Sequence, residues 1–183
     1  MIEYKILTQL EADDFRRLNQ GYISTAKCVV SKTETPETTA ISLHLTTLEQ
    51  PYIKKGVTDE TDVQRLQQVI PQGLSLGAYD EEQIVGIVLA EAQPWNRSLW
   101  VWQFEVLEAY RRQGIGRRLM DTLAEKARQA GLRIIVCETQ NTNVPAINFY
   151  RKVGFTVEGI DLSYYTNTDM QDFEVAIFMK RHV

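Results

Sequence analysis

One segment constrains the fold more than any other: Phe104-Glu105-Val106-Leu107-Glu108-Ala109-Tyr110-Arg111-Arg112-Gln113-Gly114-Ile115-Gly116-Arg117-Arg118-Leu119. A strand-like run ends, a short turn carries arginines, and two glycines open a helix. Ile115, Leu119, Leu123 and Ala127 recur at three- to four-residue spacing, which predicts that helix over 114–130, with Gly131 as its stop. The first N–H groups of a helix have no intrahelical acceptor, and the macrodipole adds about half a positive charge there. Such a start suits a phosphate group. Gly114 and Gly116 let the backbone approach without Cβ atoms, and Arg111, Arg112 and Arg117 offer charge-assisted contacts to a diphosphate.

The elements on either side decide what kind of phosphate loop this is. Before it, 74–79, 83–92 and 98–107 read as three strands of an antiparallel meander, joined by Asp80-Glu81-Glu82 and by Pro94-Trp95-Asn96-Arg97. After it, the near-continuous apolar run 132–138 reads as a strand covered on both faces. A helix over 144–153 follows, with Pro145 in its first turn and Gly154 beyond its end, and then strands over 156–164 and 173–180. The N-terminal part reads as a strand over 3–8, a helix over 11–21 and a loop over 31–39. Residues 39–55 read as partly helical with a break near Pro51. A short helix over 59–69 is capped by Thr58 and ended by Pro71-Gln72-Gly73. The fold class is α/β (α+β), a mixed and mostly antiparallel central sheet flanked by helices, in one domain spanning 1–183.

A P-loop is excluded because no Gly-Lys-Ser/Thr follows the turn. A Rossmann loop is excluded because the third glycine is missing and the preceding strand belongs to a meander. A glycine turn with solvated arginines remains as the plain structural alternative. The string Arg111-x-x-Gly114-x-Gly116, in this order of elements, resembles the acetyl-CoA-binding motif of the GNAT acetyltransferases. A second block, Asn143, Ala146, Phe149-Tyr150 and Gly154-Phe155, is similar to the same family's Asn-x-x-Ala-x-x-Phe-Tyr-x-x-x-Gly-Phe pattern. Within that superfamily the chain resembles the streptothricin acetyltransferases. The shared pieces are Trp95-Asn96-Arg97, Glu138-Thr139-Gln140-x-x-Asn143, Gly159-x-Asp161 with Tyr165, and Phe173-Glu174-x-Ala176. That group carries an acidic Glu-Asp pair where this chain has Trp102-Gln103.

The resemblance implies acetyl-CoA as cosubstrate and transfer of its acetyl group to a primary amine, with an amine-rich antibiotic as the leading acceptor. A protein N-terminus or lysine, a polyamine, and a non-catalytic acyl-CoA-binding module are the rival readings. The donor site implied is Val106, Leu107, Arg111, Arg112, Gln113, Gly114, Ile115, Gly116 and Arg117, joined by Asn143, Ala146 and Tyr150. Glu105, on the central strand, is the candidate base, against a plain solvated or paired carboxylate. Tyr150 is the candidate proton donor to the departing thiolate, against a plain core tyrosine. Asn143 either supports the pantetheine arm or caps the helix at Val144-Pro145. Trp102, Glu138, Asp161 and Tyr164 are the candidate acceptor contacts, with Trp100 beside them; core packing or surface exposure is the alternative for the aromatic ones.

Composition narrows the partners. A net charge of −4 and a sequence pI near 5.3 argue against nucleic acid and membrane surfaces, both anionic. The N-terminus lacks a signal-peptide pattern, and no apolar run approaches the roughly 20 residues of a membrane helix, so a cytoplasmic location is expected. Cys28 and Cys137 are the two cysteines, expected as free thiols in a reducing compartment. His44 and His182 do not combine with them in any metal-ligand spacing, so no metal is assigned. The assembly expected is a monomer or a homodimer.

Overall fold

The computed structural model describes all of 1–183 except Thr58 and Phe173. The chain forms a mixed α/β fold, a mostly antiparallel sheet flanked by helices, and it divides into two compact units. The first unit comprises 1–21, 55–137 and 181–183; the second comprises 22–54 and 138–180.

In the first unit, strand β1 (Ile2–Ile6) is followed by helix α1 (Ala12–Leu18), and helix α2 (Glu60–Gln67) leads to β4 (Leu76–Asp80), β5 (Gln83–Gln93) and β6 (Ser98–Val106). The strand order is β1-β4-β5-β6, antiparallel throughout, as the predicted meander requires. Strand β7 (Ile134–Gln140) starts in this unit and pairs parallel to β6. The middle of β5, from Ile84 to Ala90, is buried throughout, because neighbouring strands and the helices cover it. Helix α3 (Ile115–Gln129) packs on β4, β5 and β6 through Ile115, Leu119, Met120, Leu123, Ala124 and Ala127. That stripe is the one its periodicity predicts. Gly86 permits the close approach: a Cβ there would lie 3.2 Å from the Glu105 carbonyl oxygen and 3.4 Å from Leu119 Cδ1.

In the second unit, β2 (Gly21–Glu34) and β3 (Thr39–Lys55) form a two-stranded ribbon. Helix α4 (Val144–Lys152) follows β7, and β9 (Ala176–His182) lies between β7 and β8 (Thr156–Asp161), with the short helix α5 (Asp169–Asp172) before it.

The ribbon corrects the reading of 31–55. Ser31 to Glu34 is strand rather than loop, and β3 runs unbroken through the stretch read as partly helical. Its Thr, Ile and Tyr content favours an extended chain. Pro51 is accommodated because each strand of a two-stranded ribbon has an unpaired edge, where a missing N–H costs nothing. The turn is confined to 35–38, where Thr35 Oγ1 accepts from the Thr38 amide at 3.1 Å. The expected Thr58 cap lies outside the described residues. Asp59 caps α2, accepting from the Asp62 amide at 2.7 Å. The last two strands are shorter than predicted. Asp169 accepts from the Tyr165 and Thr166 amides at 2.9 and 2.6 Å and folds 162–168 into a tight loop.

Asn141, which immediately follows β7, holds the second unit together at one point. Its carbonyl accepts from the Cys28 amide at 2.8 Å, and its side-chain amide donates to the Cys28 carbonyl at 2.9 Å. Its Oδ1 accepts from the Val175 amide at 2.8 Å. One buried side chain thus fixes both the middle of β2 and the entry to β9. No helix of the described residues is long and apolar enough to cross a membrane.

Candidate active site

The predicted donor residues from Val106 to Arg117 lie in the first unit. The register between β5 and β6 moves from Leu89↔Gln103 to Ala90↔Val101, so Trp102 is an extra residue, a β-bulge. The parallel ladder between β6 and β7 runs from Ser98↔Ile134 to Val101↔Cys137 and stops one residue before that bulge. Beyond it, Gln103 to Val106 keep β5 on one side and have no rung to β7 in the ladder. This leaves backbone donors of the strand end, Val106 among them, for a reacting carbonyl.

The turn after β6 is fastened to it, with Arg111 Nε donating to the Val106 carbonyl at 2.9 Å. Gln113 Nε2 donates to the Ala109 carbonyl at 2.9 Å. Arg112 has φ 62° and Gly114 φ 86°, both left-handed. Gly114 is the cap residue of α3 and has no side chain to satisfy the helix start. The amides of Ile115, Gly116 and Arg117 therefore open the helix with no intrahelical acceptor. Arg111, Arg112, Gln113 and Arg117 are exposed, while Ile115 is buried against the sheet. A diphosphate fits this set: dipole, free amides and guanidinium groups all favour negative charge. An open depression of about 510 Å³ in this unit is lined by Arg17, Gln20, Gln83, Leu107, Glu108 and Ala109. Of the predicted donor residues it touches Leu107 alone.

Glu105 is half-buried on β6. Burial pushes its carboxyl up from an ordinary 4.5 to about 7, although the charge of Arg111 and a 3.0 Å hydrogen bond donated by Gln103 Nε2 pull the other way. A carboxyl titrating near neutrality is matched to proton abstraction at physiological pH. Trp102, by contrast, is tied to its own sheet. Its indole N–H donates to Glu91 Oε2 at 2.8 Å, and the Arg65 guanidinium lies 5.7 Å from its ring centre.

The second motif lies in the second unit. Asn143 caps α4, accepting from the Ala146 amide at 3.2 Å, so the capping role holds. Tyr150, on the same helix, is buried and packs its ring 5.6 Å from Phe149 and 5.4 Å from Phe155. The Phe-Tyr and Gly-Phe pieces of the motif thus converge on one tyrosine, and Gly154 makes the turn between them at φ 92°.

Glu138 is half-buried at the end of β7 and accepts from the Tyr165 hydroxyl. Burial raises its carboxyl above the usual range, against that hydrogen bond and the charge of Lys54. Tyr164 is exposed and meets Tyr165 and Phe178 edge-on at 5.2 and 5.4 Å. Glu138 and Tyr164 therefore share Tyr165 as a neighbour. Asp161 is engaged in a turn, its Oδ1 accepting from the Ser163 amide at 3.0 Å.

Sequence reasoning missed the richest polar cluster of this unit. Glu174 Oε1 accepts from the Tyr52 hydroxyl at 2.9 Å and from Tyr22 and Thr142 at 3.3 Å each, while Lys54 Nζ reaches Oε2 at 2.5 Å. Glu174 was part of a recognised string, but Tyr22, Tyr52 and Lys54 lie on the misread ribbon. Cys28 and Cys137 are both buried free thiols. Among the described residues, no three His, Cys, Asp or Glu side chains gather as a metal site.

The model of the acetyltransferase (GNAT) family matches residues 41–155. The chain is 35% identical over 96 residues to a streptothricin acetyltransferase of Streptomyces lavendulae, covering 52% of this chain and 50% of that relative. The crystal structure of a nourseothricin acetyltransferase superposes with a TM-score of 0.74 at 29% identity, covering 99% of this chain and 98% of the other. A putative streptothricin acetyltransferase from Bacillus anthracis, solved with acetyl coenzyme A, gives 0.75 at 25% identity over 100% and 99%. With the family pattern spanning the meander, the glycine turn and both motif helices, the chain belongs to the acetyltransferase (GNAT) family.

Proposed function

We propose that this protein is an N-acetyltransferase that moves the acetyl group of acetyl-CoA to a primary amine of a small cationic molecule, with a streptothricin-like antibiotic as the leading acceptor. The observation that carries the reading is Glu105, a carboxyl titrating at about 7 on the strand that leads into the glycine turn. The names of the relatives support the acceptor class.

A lysine-like amine has a pKa near 10.4, so about one molecule in a few thousand is neutral at pH 7. That deficit amounts to about 4–5 kcal/mol, and a base removes it. Glu105, directly or through water, takes one proton from the ammonium, and the neutral nitrogen then bonds to the acetyl carbon. The amide of Val106 donates to the carbonyl oxygen as it gains charge. The C–S bond then breaks, Tyr150 delivers a proton to the departing thiolate, and the second proton that the nitrogen sheds on becoming an amide goes to solvent, from which the tyrosine is reprotonated. The phenol lies about 1.5 pKa units above a free thiol, a small uphill step for a positioned donor. Gly114, Ile115, Gly116 and Arg117 hold the diphosphate by their amides, with Arg111, Arg112 and Gln113 at its rim. Asn143 caps the helix that carries Ala146 and Tyr150. Trp102, Glu138, Asp161 and Tyr164 contribute to the acceptor side.

Thiol release from acetyl-CoA, measured with streptothricin, polyamines, aminoglycosides and peptides, tests the reading. Turnover with streptothricin is expected. Turnover with peptides alone would transfer the assignment to protein acetylation, and no turnover with any acceptor would leave only an acyl-CoA-binding module.

A further inference from the structure

We propose that the Glu174 carboxylate, framed by Tyr22, Tyr52 and Thr142, is the seat for a second ammonium group on the acceptor, and that Lys54 fills this seat until the acceptor displaces it. The inference rests on the amine-acceptor reading and narrows it to acceptors carrying at least two ammonium groups.

The two oxygens of Glu174 are used differently. Oε1 is held by neutral hydroxyls, with Tyr52 at 2.9 Å and Tyr22 and Thr142 at 3.3 Å. The last two are themselves linked at 2.7 Å. Burial pushes the Tyr52 hydroxyl up to about 12, with the Glu174 charge adding to it, and burial also drives the Tyr22 hydroxyl upward. Both tyrosines therefore stay neutral donors, and neither competes with the carboxylate as an anion. The Tyr52 hydroxyl and one of the linked Tyr22–Thr142 pair donate to Oε1, which leaves the other oxygen, Oε2, as the face for a cation. Lys54 Nζ lies there at 2.5 Å.

That occupant is chemically the same as the acceptor class. An alkylammonium on a flexible stem is a point charge, replaceable by another ammonium without geometric penalty. The Lys54 side chain is 37% exposed, against 22% for Glu174, so the cation stands on the solvent side of its carboxylate. Glu138 shares the same field, because the negative Glu174 raises its carboxyl and the positive Lys54 lowers it. Two carboxylates and one lysine leave a single net negative charge. Withdrawing Lys54 leaves two, which matches a dication. The Tyr22 and Tyr52 rings lie 6.1 Å apart, with both hydroxyls turned to the same carboxylate oxygen.

The test compares pentane-1,5-diamine with pentylamine as acceptors, in the wild type and in Glu174→Gln and Lys54→Met, with calorimetric binding of the diamine measured in parallel and a thermal melt as folding control. Glu174→Gln is expected to raise KM for the diamine roughly tenfold, with kcat and KM for pentylamine and acetyl-CoA held within about twofold. Lys54→Met is expected to lower KM for the diamine alone. Equal changes for both amines, or a higher diamine KM in Lys54→Met, would overturn the proposal and return the cluster to a structural ion pair. If the wild type acetylates neither amine, the acetyl-transfer reading fails while calorimetry still judges the seat. Diamine binding weakened by Glu174→Gln upholds it, and no binding, or binding indifferent to the substitution, removes it.

Discussion

Replacing Glu105 by Gln separates its electrostatic cost from its chemistry. In the folded protein its carboxyl titrates at about 7, against an ordinary 4.5, chiefly because burial disfavours the anion. Between those two values the folded state holds a proton that the unfolded chain has released. Stability is therefore fully present below 4.5 and is lost as pH rises through about 7. At about 1.36 kcal/mol for each pH unit, the interval amounts to about 3 kcal/mol above pH 8, a ceiling because part of the side chain remains in water. Gln is a neutral isostere and keeps an oxygen for the Gln103 amide, which donates at 3.0 Å. The variant should match the wild type near pH 4.5 and exceed it at pH 8. For a domain of this size the gain corresponds to about 6–12 °C in Tm.

Urea unfolding of both proteins at pH 4.5, 6 and 8 measures this, since the difference between them cancels every other titrating group. The same pair gives the catalytic arm: wild-type kcat/KM should climb to a plateau above about pH 7, and the variant should lose that limb. A stability difference that stays flat with pH would refute the desolvation argument. An unchanged pH limb in the variant would place the base elsewhere.

Other perturbations probe the remaining parts. Tyr150→Phe should lower kcat at least about tenfold with little change in acetyl-CoA affinity, read by steady-state kinetics and calorimetry; an unchanged rate removes Tyr150 from the mechanism. Gly114→Ala should cost about 1–2 kcal/mol in chemical denaturation purely through its φ of 86°, because a Cβ there meets nothing within 4 Å, and it should weaken acetyl-CoA binding as the helix start shifts. Asn141→Ala strands the Cys28 carbonyl and the Val175 amide, and an expected loss of about 2–5 kcal/mol by urea denaturation follows from two unpaired buried groups.

Local signals made the donor half legible. A helix of period 3.6, glycine caps and a proline in the first turn act over a few residues, and α3 and α4 appear within a residue or two of their predicted ends. The meander was legible for the same reason, since its connections at Glu81 and Arg97 are short turns with left-handed residues. The ribbon was not. Its strands draw stability from pairing with each other and from Asn141, more than a hundred positions beyond Cys28, and the short alternation of Ile41, Leu43 and Leu45, broken at Thr46-Thr47, was its only local mark. The bulge at Trp102 was equally hidden, because an extra residue in a strand shows only against its partner's register.

The glycine turn and the Glu174 cluster differ in legibility for a physical reason. A diphosphate is bound largely by backbone amides and helix dipole, which demand glycine at a fixed spacing and leave a mark within six residues, Arg111 to Gly116. A cationic amine is recognised by side-chain oxygens and aromatic faces, which can come from anywhere in the chain. Here Tyr22 and Glu174, 152 positions apart, meet around one carboxylate. No periodicity records such a meeting, so the Glu174 cluster had to wait for coordinates while the glycine turn did not. On the proposed roles, exchanging Lys54 alters the charge beside Glu174, and exchanging Tyr52 removes one of its hydrogen-bond donors, without touching the glycine turn.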